Sequence, residues 1–127
     1  IRASKKAYGM AGINNPLKEL DVAEVSAAFS YQELLWTELL GFCGRGEGAK
    51  ILKKGMTSLG GELPVNPSGG IIAGNPVTVA GLTRLAEAVL QVRGEAGARQ
   101  VRGARKALAH GTTGGGGQGK EVMIVGN

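Results

Sequence analysis

The sequence predicts an α/β layered domain, because strand-like and helix-like patterns alternate along it. A short apolar run after Asp21 includes Val22 and Val25, as in a buried strand. Two further apolar runs, residues 106–110 and 121–126, flank a glycine-rich stretch and are typical of two joined strands. A helix is predicted between the first strand and these two later strands. The prediction rests on apolar residues at helical spacing, which are Leu82, Leu85, Ala86 and Val89.

The elements before residue 45 follow from local signals. Residues 2–11 mix Ala, Lys and apolar residues as a helix does, and residues 12–20 break that pattern with Gly, Asn and Pro. Ser30 and Glu33 form a predicted capping box for the next helix, which Gly41 ends. That helix carries an apolar face made of Tyr31, Leu35 and Leu39. We expect Trp36 and Phe42 to lie in the core or at its rim.

The middle of the chain is less regular. Residues 46–55 predict a short helix that Gly55 closes. Residues 60–76 predict a long irregular segment, which is packed rather than free because it is apolar in places. Pro76 suits the first turn of the following helix. We expect that helix to be buried, since its Ala and Gly content favours close packing.

Size and composition limit the classes of protein that are possible. With 127 residues and 43% hydrophobic residues, the chain suits one domain, residues 1–127, with its own core. Cys43 is the only cysteine, so no internal disulfide can form, and a reducing, cytoplasmic location is predicted. We expect Cys43 to be structural. The sequence shows no signal peptide and no apolar run long enough to span a bilayer.

The net charge of +5 is concentrated in residues 93–106. A solvated basic connection is the simplest interpretation, with a phosphate-bearing ligand next and nucleic acid last. Because no aromatic residue interrupts this segment, we predict no nucleic-acid partner.

Residues 110–119 carry few side chains, and two interpretations remain open from the residues alone. They form either a plain glycine hairpin or a turn whose backbone N–H groups bind an anion. His110, the only histidine, is either a packed strand-end residue or a replacement acid or base.

Three segments arrive in a fixed order: EVSAAFSYQELLWTELLGFC, then NPSGGIIAGNPVTVAGLTRLAEAVLQVRGEAG, then ALAHGTTGGGGQG before a final strand. This order resembles the C-terminal domain of the thiolase superfamily, and most closely its sterol-carrier-type members. The resemblance covers nearly the whole chain. It implies a thiolase-like half: a mixed sheet with helices packed on both faces. In that family the nucleophilic cysteine belongs to the other, N-terminal half, so we expect this chain to be a fragment or the small subunit of a split enzyme.

The motifs depart from the family pattern at the catalytic positions. The family carries Asn-Glu-x-Phe or His-Asp-Cys-Phe where residues 26–29 read Ser-Ala-Ala-Phe, and Gly-His-Pro where residues 74–76 read Gly-Asn-Pro. Asn75 can donate a hydrogen bond to an oxyanion but cannot take up a proton at neutral pH. The second cysteine of the family has no counterpart at Thr113 or at Ala28.

The resemblance also implies a site, a substrate and partners. The candidate catalytic residues are Asn75, Ser26 and His110. The candidate substrate-binding residues are Gly74, Thr113, Gly114, Gly115 and Gly116. A coenzyme A thioester is the expected substrate, with no separate cofactor and no metal, and the chemistry is C–C bond formation or cleavage. The expected partner is a thiolase N-terminal half or a second thiolase-like subunit.

Two other functions remain open. The chain could be a non-catalytic thiolase-like subunit that stabilises an active thiolase or docks a zinc-ribbon/OB-fold protein, which the substitutions at all three motifs favour. A free-standing lipid or coenzyme A binder is the third class, and it would need a pocket closed by this chain alone.

Overall fold

A computed structural model describes residues 1–74, 76, 78–113 and 119–127 of the chain. Six α-helices, one 3-10 helix and three strands are found in these residues. In chain order they are α1 (Arg2–Ala11), α2 (Pro16–Glu19), β1 (Val22–Val25), α3 (Ser30–Leu39), α4 (Gly48–Lys53), α5 (Gly70–Gly74), α6 (Ala80–Arg93), the 3-10 helix (Gly97–Arg99), β2 (Lys106–Thr113) and β3 (Gly119–Gly126).

The three strands form one mixed sheet in the order β1-β2-β3. Strand β1 runs parallel to β2, with Val25 opposite His110. Strand β3 runs antiparallel to β2, with Met123 opposite Ala109. The mixed sheet that the family resemblance implies is therefore confirmed.

Side chains that alternate along the strands build a core on each face of this sheet. On one face Leu108 and Val25 belong to a cluster with Tyr8 of α1 and Trp36 of α3. On the other face the small side chain of Ala107 belongs to a cluster with residues of α6. Helices thus pack on both faces, as predicted.

Helix α3 is capped differently from the prediction. Ser30 lies inside the helix, and the Oε1 atom of Gln32 accepts hydrogen bonds from the backbone N–H groups of Ala28 at 2.7 Å and Phe29 at 3.3 Å. The Ser30–Glu33 capping box is therefore wrong. The Glu33 carboxylate is instead used by a long-range contact, as an acceptor for the side chain of Asn66.

The two apolar helix faces that the periodicity indicates point mostly outward. Helix α6 begins at Ala80 rather than in the turn at Pro76, and Leu82 is 65% and Val89 36% exposed. The face of α6 that is buried against the sheet consists of Ala80, Arg84, Glu87, Ala88 and Gln91. In α3, likewise, Tyr31 is 61% exposed and only Leu39 of the predicted apolar face packs against the core.

The inward polar face of α6 explains why hydrophobic periodicity misplaced that helix. Its charged and amide groups find partners on the sheet and on the loop after α6, so burial does not leave them unsatisfied.

The strands at the end of the chain are longer than predicted. Strand β2 continues through Gly111 to Thr113, which pairs with Gly119 at the start of β3. His110 and the three residues after it are therefore strand residues and not part of a turn. The predicted glycine turn falls on residues 114–118, which lie outside the described residues. Within the described part of the chain, no helix combines the length and the apolar character needed to cross a bilayer.

Candidate functional site

The candidate site lies where strands β1 and β2 end. Because these strands are parallel, their carboxyl ends meet at one edge of the sheet. Ser26 follows β1 there, and Thr113 ends β2. The first turn of α6 reaches the same edge, since a Cβ atom added to Gly111 would lie 3.4 Å from the Cα atom of Gly81. The close approach of helix and strand therefore depends on two residues without side chains.

Ser26 is held by three hydrogen bonds at the end of β1. Its backbone N–H donates to the carbonyl oxygen of His110 at 3.1 Å, and its hydroxyl donates to the same oxygen at 2.8 Å. The carbonyl oxygen of Ser26 accepts from Nε1 of Trp36 at 2.9 Å. Ser26 is only 3% exposed, so its hydroxyl hydrogen is committed to the backbone of β2.

His110 contacts Ser26 through its backbone carbonyl oxygen, while its ring packs against Trp36. The side chain is 2% exposed and its ring centroid lies 4.8 Å from that of Trp36. Burial, with a smaller contribution from the charge of Lys120, lowers the pKa of His110 to about 4. The imidazole is therefore neutral at pH 7.

The surroundings of His110 are enclosed and partly polar. Its Nδ1 atom is buried and has no hydrogen-bond partner in the part of the chain that the structure describes. The Nζ atom of Lys120 lies 4.5 Å from the ring centroid of Trp36, as in a cation–π contact. A small cavity of about 90 Å³ is lined by these three side chains together with Ile1 and Leu39.

The remaining predicted site residues are only partly described. Gly74 ends the short helix α5 and is exposed, and Thr113 is exposed at the end of β2. Asn75, Gly114, Gly115 and Gly116 lie outside the described residues. The contacts of the described residues thus bring Ser26 and His110 together, while Thr113 shares their edge of the sheet.

Sequence reasoning missed a buried ionic group next to this edge. Glu24 in β1 is 0% exposed, and its Oε2 atom lies 3.1 Å from Nη1 of Arg84 in α6. Burial raises the pKa of Glu24, while the hydrogen bond from Ser68 and the charge of Arg84 oppose that rise. The one signal was an acidic residue inside the apolar run of β1, which a buried strand tolerates only when the charge is paired.

Several large apolar side chains stay exposed in and next to α3, α5 and α6. The rings of Phe29 and Tyr31 stack with centroids 5.8 Å apart and planes 8° from parallel, and both side chains are more than half exposed. Further exposed apolar residues lie in α3, in α5, just before α6 and in α6 itself. We call this set the apolar collar: Phe29, Tyr31, Leu35, Ile72, Val79 and Leu82.

Cys43 lies beyond the end of α3. It is partly buried against the core, and burial is the main cause that raises the pKa of its thiol. Among the described residues, no three His, Cys, Asp or Glu side chains are grouped so that they could hold a metal ion.

Comparisons with known proteins agree on one relationship. A family model described as thiolase C-terminal domain-like matches residues 1–127. An acetyl-CoA acetyltransferase of Methanothermobacter thermautotrophicus is 42% identical over 92% of this chain and 30% of its own length. Human sterol carrier protein 2 is 44% identical over 85% of this chain and 20% of its own length.

Two further comparisons extend the relationship. The benzoylsuccinyl-CoA thiolase subunit BbsB of Thauera aromatica is 37% identical over 77% of this chain and 26% of its own length. A solved structure titled Ltp2-ChsH2(DUF35) aldolase superposes with a TM-score of 0.83 at 29% identity, over 98% of this chain and 31% of that chain. The chain therefore spans less than a third of the length of each of these four proteins.

Proposed function

Because the chain belongs to the thiolase C-terminal domain-like family, we propose that it supplies one half of a thiolase-like acyl-CoA site. The other half, of the N-terminal type, would supply the cysteine nucleophile, either from the same polypeptide or from a second one. The reaction would form or cleave a C–C bond on a coenzyme A thioester.

The observation that carries this proposal is the exposed apolar surface of α6 and of the apolar collar. Leu82 and Val89 lie on the outward face of α6, and the apolar collar adds exposed side chains from α3 and from the segments that follow β1 and precede α6. Clusters of exposed apolar side chains mark interaction surfaces. A second thiolase-like half that covers α6 would bury these side chains and close the site at the same time.

Each site residue has a separate role in this proposal. Asn75 and the backbone N–H groups of residues 113–116 would donate hydrogen bonds to the thioester oxygen as negative charge develops on it. Gly74 would let the backbone approach the ligand closely. Ser26 and His110 would be the polar groups beneath the thioester, with His110 uncharged at the start of the reaction.

Names of related proteins support this class of chemistry. Both acetyl-CoA acetyltransferases and thiolases act on coenzyme A thioesters, and an aldolase cleaves a C–C bond. A thioester or carbonyl oxygen gains negative charge in all these reactions. A site with Asn75 in place of an acid–base residue would therefore still stabilise that charge by a hydrogen bond.

The proposal is tested by isolating the complex that the chain forms in its source organism and by measuring its mass under native conditions. We expect an N-terminal-type thiolase half with a nucleophilic cysteine, and acyl-CoA turnover in the complex. Asn75→Ala should then lower turnover, because one oxyanion donor is lost. Unchanged turnover would show that Asn75 does not act as an oxyanion donor.

A matched pair of variants tests the surface. Leu82→Lys should weaken the complex, whereas Leu59→Lys should not, since Leu59 is also exposed, at 58%, but lies outside the collar. If both variants bind the partner equally well, the outward face of α6 is not the contact surface.

A second candidate function, a non-catalytic thiolase-like subunit, is favoured by the geometry of Ser26 and His110. The hydroxyl of Ser26 donates to a backbone carbonyl, and the ring of His110 is buried against Trp36. Neither group is poised to transfer a proton. Such a subunit would stabilise an active thiolase or dock a zinc-ribbon/OB-fold protein. Isolation of the chain with a thiolase that already has both halves would favour this function.

A further inference from the structure

The buried pair of Glu24 and Arg84 joins the sheet to helix α6 and to a loop. The side chains are 0% and 7% exposed. Both face Ser68, which lies in the Asn66–Gly70 loop that follows the isolated bridge between Ala23 and Val65. One cluster therefore joins a buried ion pair to a partly buried serine, from three parts of the chain that are distant in sequence.

Ser68 is the centre of this cluster. Its backbone N–H donates to Oε1 of Glu24 at 3.1 Å, and its hydroxyl donates to Oε2 at 2.7 Å. The same hydroxyl oxygen accepts from Nη1 of Arg84 at 3.2 Å and from the backbone N–H of Gly70 at 3.1 Å. Both carboxylate oxygens thus hold the loop, and the hydroxyl has no further hydrogen to donate.

Asn66 anchors the other end of the loop. It is the only non-glycine residue with positive φ in the described part of the chain, at 52°. Its Oδ1 atom accepts from the backbone N–H of Val25 at 2.7 Å, and its Nδ2 atom donates to Oε2 of Glu33 at 3.0 Å. Left-handed backbone at such a residue persists when surrounding contacts fix it.

A buried ion pair is a poor choice if stability alone is required. Desolvation of two charges offsets much of their attraction, and an apolar pair of similar size often packs as well or better. Here Nε of Arg84 is also buried without a partner in the described residues, which adds to the cost. The charged pair instead makes directional hydrogen bonds to Ser68, which only one geometry of the loop can satisfy.

We propose that Glu24 and Arg84 are positioning residues for the segment from Asn66 to Gly74. That segment leads directly into Asn75, so this inference rests on the proposed function of the edge of the sheet. The pair fixes Ser68 from the sheet and from α6 together, and thereby holds the segment that precedes Asn75, the proposed oxyanion donor.

Hydrogen exchange of backbone amides in the full chain tests the proposal without any need for turnover. Glu24→Gln and Arg84→Gln should each speed exchange at Ser68, Gly70 and Ala73 by about tenfold or more, while amides in the β2–β3 ladder change much less. The double variant should slow exchange again toward the original rates, because no unpaired buried charge remains.

Glu87→Gln is the matched control. Glu87 is also a buried carboxylate on α6, but it pairs with Arg99 rather than with the loop. It should leave exchange at Ser68 and Gly70 unchanged. If a single variant unfolds the chain, Ser68→Ala gives the milder test, since it removes the hydroxyl contacts and keeps the ion pair. Exchange that rises equally everywhere, or no recovery in the double variant, would overturn the proposal.

Kinetics separate this proposal from the proposed function. In the complete enzyme, the Glu24 and Arg84 variants should lower kcat and leave KM nearly unchanged, because both side chains are buried and act through the loop. A rise in KM by the same factor as the fall in kcat would overturn the positioning role. A loop that loosens as predicted in a complex without acyl-CoA turnover would support the anchoring and refute the enzymatic function.

Discussion

The indole N–H of Trp36 donates a 2.9 Å hydrogen bond to the carbonyl oxygen of Ser26. Trp36 belongs to α3, whereas Ser26 is the first residue after β1. The bond therefore ties the helix to the end of the strand at the candidate site. Since the same indole also packs against His110, one side chain organises two of the predicted site residues.

Trp36→Phe should destabilise the chain by about 2 to 3 kcal/mol, because the buried carbonyl of Ser26 loses its donor and a void is left in the core. Urea unfolding followed by circular dichroism measures the change. Tryptophan fluorescence cannot be used, because Trp36 is the only tryptophan and the variant lacks it. Tyr31→Phe is the control, since Tyr31 is exposed and should change stability by less than about 0.5 kcal/mol. Equal midpoints for the two variants would contradict the role of the indole bond.

Ser26→Ala should have a smaller effect, a loss of about 0.5 to 1.5 kcal/mol. The carbonyl of His110 keeps the backbone N–H of Ser26 as a donor, so no buried acceptor is left unpaired. In an active complex, a fall in kcat far beyond this structural effect would show that the hydroxyl contributes to the reaction. A fall limited to stability would restrict Ser26 to a structural role.

Stability should decrease as the pH falls from 6.5 to about 4, because of His110. Its pKa is lowered from 6.5 to about 4 in the fold, so the unfolded chain takes up a proton in this interval and the folded chain does not. The expected loss is on the order of 2 to 3 kcal/mol. Unfolding at several pH values measures it, and His110→Gln should flatten the curve in this range. Parallel curves would show that other groups cause the pH dependence.

Two glycine-to-alanine variants should have opposite effects. A Cβ atom at Gly61 would collide with the carbonyl oxygen of Gly55, so Gly61→Ala should destabilise the chain by about 2 kcal/mol or more. Gly9 lies within α1 with no atom near its Cβ position, and Gly9→Ala should stabilise by up to about 1 kcal/mol. Thermal unfolding compares them. A shift in the same direction for both would contradict the packing around Gly61.

Strands and helices were largely predictable because periodicity and glycine positions are local signals. The end of α3 shows this, since Gly41 adopts φ 82° just beyond it. The face of α6 that packs against the sheet was not predictable in the same way. Its inward face carries Arg84 and Glu87, which a single helix pattern assigns to solvent. Only their partners on other elements reveal that these charges are paired, and those partners are distant in sequence.

Within the candidate site, only the residues that belong to the family motifs could be predicted from the sequence. The family resemblance identified Ser26 and His110, and the structure brings these two residues into contact. It could not identify Glu24, because an acidic residue in a strand gains meaning only when Ser68 and Arg84 surround it. Trp36 was predicted as a core residue, but its bond to Ser26 depends on the orientation of α3 against the sheet.

The order of the sheet has a consequence for synthesis on the ribosome. Strand β1 is made early, yet its parallel neighbour β2 and the cation that pairs with Glu24 are made much later. Until then the nascent chain holds an apolar strand without an edge partner and a carboxylate that must remain hydrated. The domain can therefore complete its fold only when nearly all of it has left the exit tunnel, and non-local pairings of this kind form slowly. We therefore expect its early segments to be bound by chaperones that recognise apolar nascent chains.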